Sequence, residues 1–221
     1  MTDLLELSGP ALDPASGGAP SSLVILLHGV GADDNDLIGL APHLARVLPD
    51  TAFVSPNAPY PCDMAPMGYQ WFSIQTQDTA LRLAAIRQTS EILNAFIDAQ
   101  LAAHGLSDDR LALVGFSQGT MMSLFIAPRR DNPCAGIMAY SGRLEGGAEL
   151  AHEIKSRPPV MMVHGDQDEL LPVTSMTDAA ARLVDNGLQV ETHVRPGLGH
   201  GIDEVGLQIG MSFLAQVLAG D

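Results

Sequence analysis

Five consecutive residues, Gly115-Phe116-Ser117-Gln118-Gly119, constrain the fold more than any other segment of the chain. They stand between a continuous apolar run, Leu111 to Val114, and a helix-forming stretch, Gln118 to Ala127, that Pro128 stops. A G-x-S-x-G between strand and helix is a sharp turn. Its small flanking residues let strand and helix approach closely, and the serine hydroxyl is held out from the end of the strand. The positive end of the following helix then points at whatever charge develops beside that serine.

The rest of the chain repeats the same alternation. Leu23 to Leu27, Thr51 to Ser55, Gly136 to Tyr140, Pro159 to His164 and Gln189 to Arg195 read as strands. Leu23 to Leu27 is a continuous apolar run, and such runs suit strands covered on both faces of a parallel sheet. Between them, Asp36 to Leu48 carries apolar residues at helical spacing, and residues 80 to 103 form a long helical pattern closed by Gly105. Helices are also predicted over residues 174 to 186 and from Glu204 to Ala219. The pattern predicts right-handed βαβ units, hence an α/β fold with a mainly parallel central sheet and helices on both faces. Residues 8 to 21 are turn and loop chemistry. Residues 1–221 are expected to form one domain, with 1–21 as an opening segment of short strand and loop.

Composition excludes several classes of function. The chain has 26 acids against 11 bases, a formal charge of -15, and Lys155 is its one lysine. No basic stripe follows a phosphate backbone, so nucleic acid is not an expected partner. An anionic membrane surface should repel the chain. No apolar stretch reaches the ~18 residues of a membrane helix, so stable membrane insertion is not expected. Met1 to Glu6 has no basic region and no long apolar core, so a cytoplasmic location is expected. Cys62 and Cys134 have no metal spacing, and the histidines show none either. No phosphate or dinucleotide fingerprint occurs, so no metal and no cofactor are expected.

A serine hydroxyl needs a base to take its proton. Where a serine occupies this turn, the partners follow in the order acid, then histidine. His200 lies in the glycine-rich loop Gly197 to Gly201, after the last predicted strand, where it can fold back over Ser117. His152 and His193 read as structural, and His164 is expected to pack beneath the acid loop. In Asp166-Gln167-Asp168-Glu169, Asp168 is the expected partner of His200, with Asp166 bracing the loop and Glu169 in solvent. Asp168 would orient the ring, and His200 would act as base and then acid. Two backbone N–H groups would form the oxyanion hole: that of Gln118, and that of Val30 in His28-Gly29-Val30-Gly31, after the first core strand. The side chain of His28 is expected to be structural.

With these residues assembled, the chain resembles the phospholipase/carboxylesterase family of α/β hydrolases, which also contains the acyl-protein thioesterases. The resemblance runs from about Leu23 to the last helix. It rests on Leu27-His28-Gly29-Val30-Gly31-Ala32-Asp33, Gly115 to Gly119, His164 through Asp168 to Leu171-Pro172, and Gly199-His200. Pro59 through Gly68-Tyr69-Gln70-Trp71-Phe72 resembles the bacterial members. The family pattern implies the α/β-hydrolase fold, Asp168 as the triad acid, and Val30 and Gln118 as the oxyanion hole. It implies small-molecule ester or acyl-thioester substrates. A homodimer is an expectation taken from the resemblance, since some relatives associate through exposed apolar surface.

Little chain lies between Gly142 and Pro158, so no large cap domain is expected there. The longest irregular segment is Asn57 to Asp78, which holds Met64, Met67, Trp71 and Phe72. These four are the candidates for lining an apolar acyl groove beside Ser117; the competing expectation is that Trp71 and Phe72 anchor the loop in the core. The leading reading is a carboxylesterase acting on short to medium acyl chains. Acyl-protein thioesterase or lysophospholipase activity on the same triad, acyl transfer, and a non-catalytic binding module are the alternatives.

Overall fold

The computed structural model describes residues 5–219. Of the N-terminal segment read above, residues 1–4 lie outside the described residues.

In chain order the elements are β1 (Ala11–Leu12), β2 (Ser22–Leu27), α1 (Asp34–Ile38), α2 (Ala41–Leu44), β3 (Thr51–Val54), β4 (Tyr60–Pro61), β5 (Tyr69–Gln70), α3 (Thr79–His104), β6 (Leu111–Phe116), α4 (Gln118–Ile126), β7 (Gly136–Tyr140), α5 (Leu150–Glu153), β8 (Val160–Gly165), α6 (Thr174–Asp185), β9 (Val190–Arg195) and α7 (Glu204–Leu218). Seven strands form one sheet in the order β1-β3-β2-β6-β7-β8-β9. Every pairing in it is parallel except that of β1 with β3. This is the α/β-hydrolase arrangement, and among the described residues only the short α5 lies between β7 and β8, so no cap domain interrupts the sheet there.

The pleat divides each strand between two cores. Leu23, Ile25 and Leu27 pack with Leu111, Leu113, Ile137 and Met162 against α3, α4 and α6. Val24 and Leu26 face the other way, with Ala112, Val114, Met138 and Val163, against α1, α2 and α7. Both faces of the inner strands are therefore covered, which is why β2 reads as an unbroken apolar run, whereas the edge strand β9 (Val190-Glu191-Thr192-His193-Val194-Arg195) does not.

Two sequence expectations need adjustment. The single helix expected over Asp36 to Leu48 is broken into α1 and α2, with Gly39 ending the first and Pro42 in the first turn of the second. Asp33 caps α1, accepting from the Asn35 N–H at 2.9 Å, so it starts earlier than the apolar spacing suggested. Leu37, Ala41, Leu44 and Leu48 still reach the core. The segment Asn57 to Asp78 is not wholly irregular: β4 and β5 pair antiparallel within it. The long helix α3 closes as expected, on Gly105 at φ 66° in the left-handed region.

Candidate active site

The turn at Ser117 is built by close approaches that only glycine permits. A Cβ on Gly119 would overlap the carbonyl oxygen of Leu27 in β2. A Cβ on Gly115 would lie 2.5 Å from the Thr120 nitrogen, inside van der Waals contact. With strand and helix pressed together in this way, Ser117 takes up φ 53°, ψ -113°, a conformation uncommon for a side chain larger than glycine's. Its hydroxyl makes no hydrogen bond within the described residues, and Ser117 lines a cavity of about 650 Å³ at the carboxyl end of the sheet. Ligands of open α/β sheets gather at that end.

Val30, Gln118 and His200 line the same cavity. The loop carrying Val30 passes directly over the serine: a Cβ on Gly29 would be 3.3 Å from the Ser117 Cβ. Gln118 N–H is the first of α4 and so has no intrahelical acceptor. Neither it nor Val30 N–H has a protein acceptor among the described residues.

Both carboxylate oxygens of Asp168 are hydrogen-bonded. Asp168 Oδ1 accepts from Leu170 N–H and Leu171 N–H, both at 2.9 Å. Its Oδ2 lies 2.7 Å from His200 Nδ1. Burial alone would raise the Asp168 carboxyl, but the Leu171 N–H, the His200 ring and the Leu170 N–H together hold it below the ordinary aspartate value. Asp166 Oδ1 accepts from Gly197 N–H at 2.7 Å and so braces the histidine loop, while Glu169 is exposed. The ring of Phe116 packs on that of His200, with centroids 4.9 Å apart and planes at 51°.

His28 is completely buried and structural. Its Nδ1 lies 2.7 Å from the Gly29 carbonyl and its Nε2 accepts from Ala58 N–H at 3.0 Å. Since a carbonyl only accepts, the proton is on Nδ1. Burial lowers the pKa of this ring, against a smaller opposing pull from Gly29.

The proposed acyl-groove residues divide. Trp71 and Phe72 do not line the cavity; they are 0 % and 1 % exposed and belong to the core beneath it. The cause is a set of hydrogen bonds that draws the loop inward. Trp71 Nε1 donates to the His28 carbonyl at 2.9 Å, and Trp71 N–H donates to Gln118 Oε1 at 2.8 Å. Gln118 Nε2 donates to the Phe72 carbonyl at 2.7 Å, and Thr89 Oγ1 donates to the Trp71 carbonyl at 2.7 Å. Met67 is 80 % exposed and outside the cavity. Met64 is the one of the four that lines it, joined by Ile74, Met121, Leu170 and Leu171.

Several contributors go beyond the residues assigned a catalytic or binding role from the sequence. His164 Nε2 is 3.1 Å from Asp168 Oδ2, on the oxygen that faces His200. Ser141 sits at φ 46° at the end of β7, and its hydroxyl donates to the Gly201 carbonyl, beside His200, at 3.4 Å. Arg82 and Arg143 reach the cavity wall from distant parts of the chain. His164 lies beneath the acid loop as expected, but nothing in the sequence marks its bond to Asp168, and nothing marks Arg82 or Arg143. Among the described residues no cluster of three His, Cys, Asp or Glu side chains is placed to hold a metal ion.

Comparison with known proteins agrees with the fold. The family model for Phospholipase/Carboxylesterase matches residues 15–218. The chain is 31 % identical to acyl-protein thioesterase 1 of Kluyveromyces lactis over 182 residues, 76 % of this chain and 79 % of that protein. It is 28 % identical to the esterase YpfH of Escherichia coli over 195 residues, 87 % of this chain and 81 % of that one. The crystal structure of esterase PE8 superposes with a TM-score of 0.92 at 41 % identity, covering 97 % of this chain and 100 % of that one. With a family match across nearly its whole length and a fold that superposes on an esterase of the same kind, the chain belongs to the phospholipase/carboxylesterase family of serine hydrolases that act on ester bonds.

Proposed function

We propose that the protein hydrolyses carboxylic esters of short to medium acyl chain through an acyl-enzyme on Ser117. His200 is the general base and then the general acid, and Asp168 holds its ring. The observation that carries this reading is the 2.7 Å contact between Asp168 Oδ2 and His200 Nδ1, on an acid kept ionised, beside a cavity that His200 shares with Ser117. An ionised acid at Nδ1 fixes the proton there and leaves Nε2 as the basic nitrogen. The hydroxyl of Ser117 is not yet bonded to that nitrogen; such contacts commonly tighten when substrate binds.

Attack on the ester carbonyl puts negative charge on its oxygen. The unpaired N–H groups of Val30 and Gln118, both at the cavity wall, are available to receive it. His200 then protonates the leaving alcohol, and water repeats the sequence to release the acid. Met64, Ile74, Met121 and the 74 % exposed Leu170 give the acyl chain an apolar wall open to solvent.

The thioester reading keeps the same steps with a thiolate as leaving group, and the likeness to a yeast acyl-protein thioesterase favours testing it. A panel of oxygen esters and thioesters of increasing acyl length ranks the two. Turnover confined to thioesters would displace the carboxylesterase reading. Turnover with added alcohol, followed as new ester, would show transfer instead of hydrolysis.

A further inference from the structure

We propose that Arg82 and Arg143 form a carboxylate-binding subsite in the cavity of Ser117, and that the protein prefers esters bearing a second, anionic carboxylate. The proposal rests on the reading of this cavity as the ester-hydrolysing site.

Both arginines line the Ser117 cavity, and both also line an adjoining cavity of about 750 Å³, so they stand at the boundary where one opens into the other. Glu145, 6 % exposed, fixes both of them. Its Oε2 is 3.3 Å from Arg82 Nε, and its Oε1 is 2.7 Å from Arg143 Nε and 2.6 Å from Arg143 Nη2. One buried carboxylate thus orients two guanidinium groups and neutralises only one of their charges. The Nη groups of Arg82 have no protein acceptor among the described residues. Arg129 is different: away from the Ser117 cavity, it gives its Nη donors to the carbonyls of Phe125 and Gly146. Its donors are used up by the fold, whereas those of Arg82 are left at a cavity wall.

The subsite is near the reacting atoms. Gly142 packs on the nucleophile's backbone, where its Cβ would lie 3.0 Å from the Ser117 carbonyl oxygen, and Arg143 is the next residue. A carboxylate a few bonds from the ester carbonyl is therefore within an arginine's reach. Asp36, the acid of this cavity, belongs to its other end, where it also lines a small cavity with Leu37, Phe116 and Ile202. In a chain of formal charge -15, the general field opposes anionic substrates. A preorganised arginine pair is the local feature that offsets it, since guanidinium–carboxylate bonds are charge-assisted and directional.

The test compares kcat/KM for mono-p-nitrophenyl glutarate with that for its neutral methyl ester, and for 4-carboxyphenyl butyrate with that for its methyl ester. The first pair carries the carboxylate on the acyl side and the second on the alcohol side. Ser117→Ala supplies the background rate, and Arg143→Gln leaves Glu145 paired with Arg82 so that no buried charge is orphaned. The expected result is a preference for the charged member of one pair, on the order of tenfold, that falls towards one in Arg143→Gln. Equal charged-to-neutral ratios in wild type and Arg143→Gln for both pairs, with the neutral esters hydrolysed, overturn the subsite and leave the esterase reading intact. No Ser117-dependent hydrolysis of any of the four esters overturns that reading and the subsite with it.

Discussion

His164 Nε2 lies 3.1 Å from Asp168 Oδ2 and 2.9 Å from the Leu171 carbonyl oxygen. The carbonyl can only accept, so the ring proton is on Nε2 and is shared between the two oxygens. Its Nδ1 is buried with no partner among the described residues. His164 therefore acts as a donor to the acid that holds His200, fixing the carboxylate plane from the side away from the cavity. Replacing His164 with Asn should lower kcat by about 10–100-fold with a smaller change in KM, because the base is misoriented while the cavity is untouched. Steady-state kinetics on a correctly folded variant checks this; a loss confined to KM, or none, removes the positioning role.

The glycines of the serine turn are predicted to be irreplaceable for the fold itself. Gly119→Ala places a methyl group on the Leu27 carbonyl and must push α4 from β2. The expected cost is at least about 1–3 kcal/mol by denaturant unfolding, with Ser117 displaced as well. Unchanged stability would mean that the strand and helix are not pressed together as described.

Acid should weaken the fold through His28. Burial depresses its folded pKa below the ordinary 6.5, while the unfolded chain still takes a proton there. Its contribution is complete above that value and is lost as pH falls below it, because protonation would cost the Ala58 N–H bond. Unfolding midpoints measured from pH 8 down to 5 should fall, and the slope should be shallower in His28→Gln. An identical slope in both would assign the acid sensitivity elsewhere.

Trp71 is expected to matter for stability and not for acyl selectivity. Trp71→Ala should cost about 3–5 kcal/mol and leave the ranking of acyl chain lengths unchanged. Met64→Ala, at the cavity wall, should alter that ranking with little loss of stability. A reversed pattern would restore Trp71 to the groove.

The strands and the serine turn could be read from the sequence because each carries its own physical signature. Leu23 to Leu27 is apolar on both faces because both faces are covered, and Gly115 and Gly119 mark close backbone approach. Asp166 as loop brace and His28 as structural side chain followed from their places at strand ends. The break between α1 and α2 was hidden because Leu37, Ala41 and Leu44 keep helical spacing across it. β1, β4 and β5 are two residues each, too short for any alternation to show. Trp71 stays open between groove and core in the sequence because an aromatic residue in a long loop near a site looks the same whether it faces the ligand or the core. The hydrogen bonds with Gln118, His28 and Thr89 that hold the loop at Trp71 and Phe72 decide between them. Arg82 and Arg143 are 61 residues apart in sequence, and no local pattern could have joined them.

The central claim is that Ser117 is a nucleophile activated by His200. The most direct measurement is covalent labelling by a fluorophosphonate probe, read by intact mass, in wild type, Ser117→Ala and His200→Ala, alongside hydrolysis of a short-chain chromogenic ester. The account predicts one label per wild-type chain on Ser117, none in Ser117→Ala, strongly slowed labelling in His200→Ala, and loss of hydrolysis in both variants. Wild type that neither labels nor turns over ester, or a Ser117→Ala variant that still does, would contradict it.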